Sequence, residues 1–115
     1  MLLAAGCAGR QSPAEMAAQC NALAADLAGA GLTGVPSQQQ ARDIAARLDT
    51  RVPQLRDPTL HDAAAQLHSH LHSVEAARRK GDTARAATAA RGAREDITKV
   101  AKTCSMSEEQ FLQPG

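Results

Sequence analysis

Ser12-Pro13-Ala14-Glu15-Met16-Ala17-Ala18-Gln19-Cys20-Asn21-Ala22-Leu23-Ala24-Ala25-Asp26-Leu27 is the stretch whose reading decides the fold class. Ser12 and Glu15 have the spacing of a capping box: the hydroxyl accepts from a free backbone amide at the helix start, and the carboxylate reaches back to the Ser12 amide. Pro13 stands at the first helical position, where its missing N–H removes no hydrogen bond. Met16, Cys20, Leu23 and Leu27 then recur at intervals of four, three and four residues, which is one face of a helix. Gly29 and Gly31 end it.

The same grammar repeats along the chain. Ser37 with Gln40 forms a second capping-box pattern. It leads a helix with Ala41, Ile44, Ala45, Leu48 and Val52 inward, which Pro53 ends or kinks. Asp57-Pro58 starts a third helix with Leu60, Ala64, Leu67, Leu71 and Val74 as its apolar stripe, closed by Lys80-Gly81. Asp82 caps a fourth, with Ala86, Ala90, Ala93, Ile97, Val100 and Cys104 inward. Gly92 inside it costs about 1 kcal/mol against Ala unless a neighbour needs the space. Ser107 to Leu112 reads as one capped turn whose Phe111 covers the bundle end. β-branched residues never gather into a strand-like run. The expectation is an all-α, up-down-up-down four-helix bundle spanning residues 13–115.

Such a bundle has an unusual core. Among 115 residues Phe111 is the one aromatic side chain, so Leu, Ile, Val, Met and much Ala must fill the interior. Small side chains let helices approach closely but bury little area each. Cys20 lies two turns into the first helix and Cys104 at the end of the fourth. If those helices run antiparallel, both thiols face the core near one pole, which predicts a disulfide. Closing a loop of about 84 residues stabilises a fold by roughly 4–5 kcal/mol on the chain-entropy model.

Leu3-Ala4-Ala5-Gly6-Cys7 resembles a lipobox, the cleavage and acylation site of bacterial prolipoproteins. Small side chains before the scissile bond suit the processing peptidase, and the free thiol accepts the lipid. The resemblance implies that residues 1–6 are the remnant of a signal peptide and that Cys7 carries acyl chains, with 7–12 a polar tether. It also implies a position on the outer side of the cytoplasmic membrane. In composition the chain is similar to small Ala- and Arg-rich lipoproteins of mycobacteria and related actinobacteria, many without an assigned role. A pair of further cysteines fits an exported, oxidising setting. No apolar run approaches the roughly 20 residues of a spanning helix, so the membrane contact expected is the lipid anchor alone.

Charge is nearly balanced at +1, but residues 75–104 hold eight basic against four acidic side chains, a local net of +4. Nucleic-acid binders combine such a stripe with aromatic stacking platforms or a recognisable motif, and this chain has neither. The stripe reads as a solvated face, with contact to anionic lipid headgroups as the functional variant. Gly29-Ala30-Gly31-Leu32-Thr33-Gly34 spells a dinucleotide fingerprint, but the glycines follow a helix instead of a strand and lead into Val35-Pro36, so the segment is a loop.

All four histidines, His61, His68, His70 and His72, fall in the third helix. At 100° per residue His61, His68 and His72 lie within about 40° of one another with Glu75 beside them, while His70 points nearly the opposite way. His68 and His72 are one turn apart, the spacing that lets two imidazoles share an ion, and Glu75 would add an oxygen ligand. Zinc, copper or an axially held haem are the ligands this set suggests; the bland alternative is a polar boundary face. Ser69 follows His68 where a zinc hydrolase of the H-E-x-x-H type needs Glu, and no serine or free thiol sits in a nucleophile context. The expectation is a non-enzymatic envelope lipoprotein acting through a protein partner or a ligand, without cofactor; the alternative is a metal- or haem-binding lipoprotein using His61, His68, His72 and Glu75.

Overall fold

In the computed structural model, residues 12–29 and 32–112 are described. They form α1 (Pro13–Leu27), α2 (Gln38–Arg51), a single 3-10 turn (Val52–Gln54), α3 (Pro58–Lys80), α4 (Thr83–Cys104) and a short α5 (Glu109–Leu112). The lipobox with Cys7, most of the tether, and Ala30-Gly31 of the glycine loop lie outside the described residues.

Each start signal is realised. Ser12 Oγ accepts from the Glu15 amide at 3.1 Å, and Glu15 accepts from the Ser12 amide at 2.9 Å. Ser37 and Gln40 make the same reciprocal pair, also at 3.1 and 2.9 Å. Asp57 and Asp82 cap α3 and α4 by accepting from Leu60 and Arg85. Gly81 closes α3 at φ 75°, a left-handed conformation that glycine adopts without a Cβ penalty. Ser105 does the same for α4 at φ 54° despite its side chain. Pro53 converts the end of α2 into the 3-10 turn. Around Gly29 the chain leaves a helix and enters a loop, so the dinucleotide spelling has no strand before it.

The four long helices form the expected bundle. α3 and α4 share the most extensive interface, α2 lies along α3, and α1 touches both α2 and α4. The interior matches the apolar stripes: Leu23, Leu27, Leu48, Leu60, Leu67, Leu71, Ile97 and Val100 are fully buried. Phe111 is too, since α5 packs against α1. Leu32, from the loop after α1, plugs the same cluster. The large side chains gather in that half, whereas Ala41, Val74, Ala89 and Ala90 make a separate, smaller cluster.

Cys20 and Cys104 are joined, with Cα atoms 5.8 Å apart, inside the usual range for a disulfide. The bond ties α1, which of the four long helices has the fewest buried side chains (Cys20, Leu23 and Leu27), to the end of α4. Polar links hold the rest of α1: Arg51 donates to Asp26 at 2.7 Å and Arg47 to the Asp26 carbonyl at 3.1 Å. The hydrogen bond that Arg51 donates to Asp26 raises the pKa of its guanidinium above the ordinary value, against the effect of burial. Replacing Cys20 and Cys104 with Ser should lower unfolding stability by roughly 4–5 kcal/mol. Urea denaturation of the double variant against the oxidised protein checks this, and α1 should lose amide protection before α3 and α4 do.

Candidate functional site: two histidine clusters on one helix

α3 is 23 residues long, and Leu60, Leu67, Leu71 and Val74 fix its rotation in the bundle. The histidines beside these residues are therefore held at defined phases. His68 and His72 lie one turn apart with their rings edge to face, centroids 4.5 Å apart and planes at 89°. Across from them is Asp49, in the last turn of α2, next to the buried Leu48. Asp49 Oδ1 comes within 2.5 Å of His68 Nε2. The oxygen is out of line for a hydrogen bond, so this buried nitrogen has a close carboxylate but no hydrogen-bond partner. One donor atom from each of Asp49, His68 and His72 falls within 4.8 Å of the other two. Asp49 and His72 are exposed and His68 is partly buried, so the cluster opens to solvent.

The structure does not assemble the quartet expected from the helical wheel. His61 lies two turns before His68, about 10 Å along the axis, and faces the neighbouring Asp62 carboxylate at 3.5 Å. Glu75 is occupied by Arg42 from α2 at 2.9 Å and by Arg79 one turn on at 3.6 Å. A carboxylate already held by two guanidinium groups is a poor third ligand. Among the described residues, the donor group is Asp49, His68 and His72, and its oxygen comes from a different helix.

His70 points away from this group, as its phase requires, and meets α4. Its Nδ1 lies 2.5 Å from Asp96 Oδ2. Asp96 is 2% exposed and is the buried charged residue among those described. Gly92, one turn earlier on α4, provides the room: a Cβ there would come within 2.5 Å of His70 Nε2. The glycine that looked like a helix defect is a notch for an imidazole. No family model, curated protein or solved structure matches this chain. Its chemistry has to be argued from these two clusters.

The cavities add little to the histidines. One, about 320 Å³ between α3 and α4, is lined by polar residues including Asp62, Gln66, Lys99 and Lys102; another, about 120 Å³, lies near Lys80 and Arg85. Neither is lined by a histidine, so neither offers haem an axial ligand. Much of the basic stripe is engaged in structure. Arg78 donates to the Val35 and Pro36 carbonyls and Arg94 to that of Gly34, which clamps the loop after α1 onto the bundle. Arg79 and Arg85 pair with Glu75 and Asp82, and Lys99 donates to Gln66.

Gly92→Ala tests the notch. Helix propensity alone would make it stabilising by about 1 kcal/mol. Because the new methyl would displace the His70 ring, the variant should instead lose about 1–3 kcal/mol. In a His70→Ala background the same substitution should become neutral or stabilising, and a double-mutant cycle by thermal or urea unfolding reads that change of sign.

Proposed function

We propose that this chain is a non-enzymatic binding module of the cell envelope, held at the outer face of the cytoplasmic membrane by acyl chains on Cys7. The observation that carries the reading is the disulfide between Cys20 and Cys104. Such bonds persist in exported proteins and are rare where thiols are kept reduced. With that pair engaged, Cys7 is the remaining cysteine, and it sits in the lipobox-like sequence Leu3-Ala4-Ala5-Gly6-Cys7. Lipid is the natural means of attachment for this fold, because no described helix is long and apolar enough to cross a membrane.

The non-enzymatic part rests on the company the histidines keep. His61, His68 and His70 each stand against a carboxylate, and His72 against the His68 ring. No hydrogen bond joins a described histidine to a serine or cysteine, the arrangement that activates a nucleophile. A stiff bundle with an open polar face suits holding a ligand or partner.

Expression in a bacterium that processes lipoproteins tests the assignment. The mature protein should show no free thiol under denaturing, non-reducing conditions and should fractionate with membranes. Cys7→Ser should move it to the soluble extracytoplasmic fraction. Reactive thiols at Cys20 and Cys104 in the freshly isolated protein, or unchanged fractionation of Cys7→Ser, would overturn it.

A further inference from the structure

We propose that Asp49, His68 and His72 form a binding site for a divalent transition ion of the Zn²⁺ and Cu²⁺ class, with two imidazole nitrogens and one carboxylate oxygen as ligands. The inference names a ligand for the binding module proposed above, and it can fail without that reading failing.

The donor set selects the class of ion. Imidazole suits zinc, copper, nickel and iron, whereas calcium and magnesium take oxygen ligands and usually several of them. A two-histidine, one-carboxylate set with open positions is a recurrent way of holding such ions. Glu75, Asp62 and His61 are absent from the site for the structural reasons given above, so three ligands come from the protein and the remaining positions face water.

The backbone that carries those ligands is fixed independently of any ion. His68 and His72 flank the fully buried Leu71 on the longest helix, and His68 directly follows Leu67, also fully buried. Asp49 follows the fully buried Leu48, and two residues on Arg51 anchors this end of α2 to Asp26 in α1. Only side-chain torsions separate the present arrangement from a coordinated one. Tetrahedral ligands at about 2.1 Å from an ion lie about 3.4 Å from each other. The three donor atoms are already within 4.8 Å, and the two that must move most freely, on Asp49 and His72, are the exposed ones.

The second, independent observation is the His68 nitrogen. Nε2 is buried and lacks a hydrogen-bond partner, although a carboxylate oxygen is 2.5 Å away. A buried polar atom left without a hydrogen bond is costly and rare in a native structure. An ion would resolve it: with the exposed Asp49 carboxylate swung out from 2.5 Å to ligand spacing, Nε2 and Oδ1 would both be ligands of one centre. His70 Nδ1 and Asp96 Oδ2 are spaced equally closely and are hydrogen-bonded, so the mismatch at His68 is specific to that site.

The decisive experiment is calorimetric titration of Zn²⁺ and, separately, Cu²⁺ into the oxidised full chain, with Cys7 alkylated so that its thiol cannot compete. Mg²⁺ serves as the hard-ion control. One ion per chain is expected for Zn²⁺ or Cu²⁺ and none for Mg²⁺. His72→Ala and Asp49→Asn should each weaken binding by at least about tenfold, the scale on which site residues tune metal affinity. His61→Ala should leave it unchanged. Both substituted ligands are exposed, so the variants should keep the helical signal of the parent, and the imidazole proton resonances of His68 and His72 should be the ones that shift with the ion. Absence of binding by the parent chain would overturn the inference and leave Asp49–His68 as a close contact between two helices. Binding that survives both His72→Ala and Asp49→Asn would overturn it equally, by placing the ion elsewhere. Neither result bears on the thiol and fractionation tests of the envelope assignment.

Discussion

The bond between Cys20 and Cys104 is the constraint on which the arrangement of the bundle depends. α1 orders fifteen residues but buries only three of their side chains fully, one being Cys20 itself. An isolated helix of that length is marginal in water, and in proteins its stability comes from the apolar face it can bury. Here that face is narrow. The disulfide shortens the search in the unfolded chain and holds α1 against the end of α4, where Leu23, Leu27 and Phe111 can then close the same cluster. Without the staple, α2, α3 and α4 retain their mutual contacts, but the half of the core that contains the large side chains loses one wall.

A second constraint follows from the alanines. α3 and α4, which share the most extensive interface, bury Ala63, Ala64, Ala77, Ala86, Ala89, Ala90 and Ala93 between them. Methyl groups allow a close approach yet offer few knobs to define a register, and one sliding position resembles the next. His70 and Asp96 supply the missing definition: an imidazole fits over Gly92 and meets a buried carboxylate at one register only. Replacing buried ion pairs with well-packed apolar side chains is often neutral or stabilising, so the pair is poor evidence of stability by itself. Its value here is specificity, because sliding α4 along α3 would leave Asp96 buried without a partner and push the ring into a Cβ. Uncompensated burial of a charge is among the most destabilising changes a fold can suffer.

Much of this architecture was legible because it is local. Capping boxes at Ser12 and Ser37, Asp caps at Asp57 and Asp82, and apolar spacing at 3.6 residues depend on neighbours within a turn or two, which a linear chain displays directly. The disulfide was legible for a related reason: once the helices alternate in direction, the poles of Cys20 and Cys104 are fixed. The site was only half visible. His68 and His72 share a face by their own spacing, but the third donor depends on which residue of α2 stands opposite, and that depends on the depth and register of α2 on α3. Glu75 looked suitable by phase and is taken by Arg42, a pairing across two helices that no single helical wheel contains. Asp96 did leave a trace. An acidic residue next to Ile97, inside the stripe of Ala93, Ile97 and Val100, contradicts a purely apolar face, and Gly92 one turn away contradicts helix propensity. Two local conflicts so close together mark a position governed by a neighbouring helix.

The two histidine clusters show how one helix can separate structure from binding by phase. His70 is about 200° from His68 and from His72, so α3 presents imidazoles to both of its neighbours. Toward α4 the partner carboxylate is 2% exposed and the partly exposed ring is wedged over a glycine, so the pair sits at the edge of the core. Toward α2 the carboxylate side chain is 62% exposed and one imidazole is open to solvent. Burial of Asp96 makes the first cluster intolerant of change, although the His70 ring keeps an exposed edge; in the second the carboxylate and His72 are open to solvent, and His68 Nε2 is left unsatisfied. The first cluster also serves the second. By fixing the register of α4 on α3 it helps set how α3 sits in the bundle, and the position of α3 decides where His68 and His72 stand relative to Asp49. A ligand site on so small a core needs such a lock, since a shift of one turn between helices would move the donor atoms apart by about 5 Å.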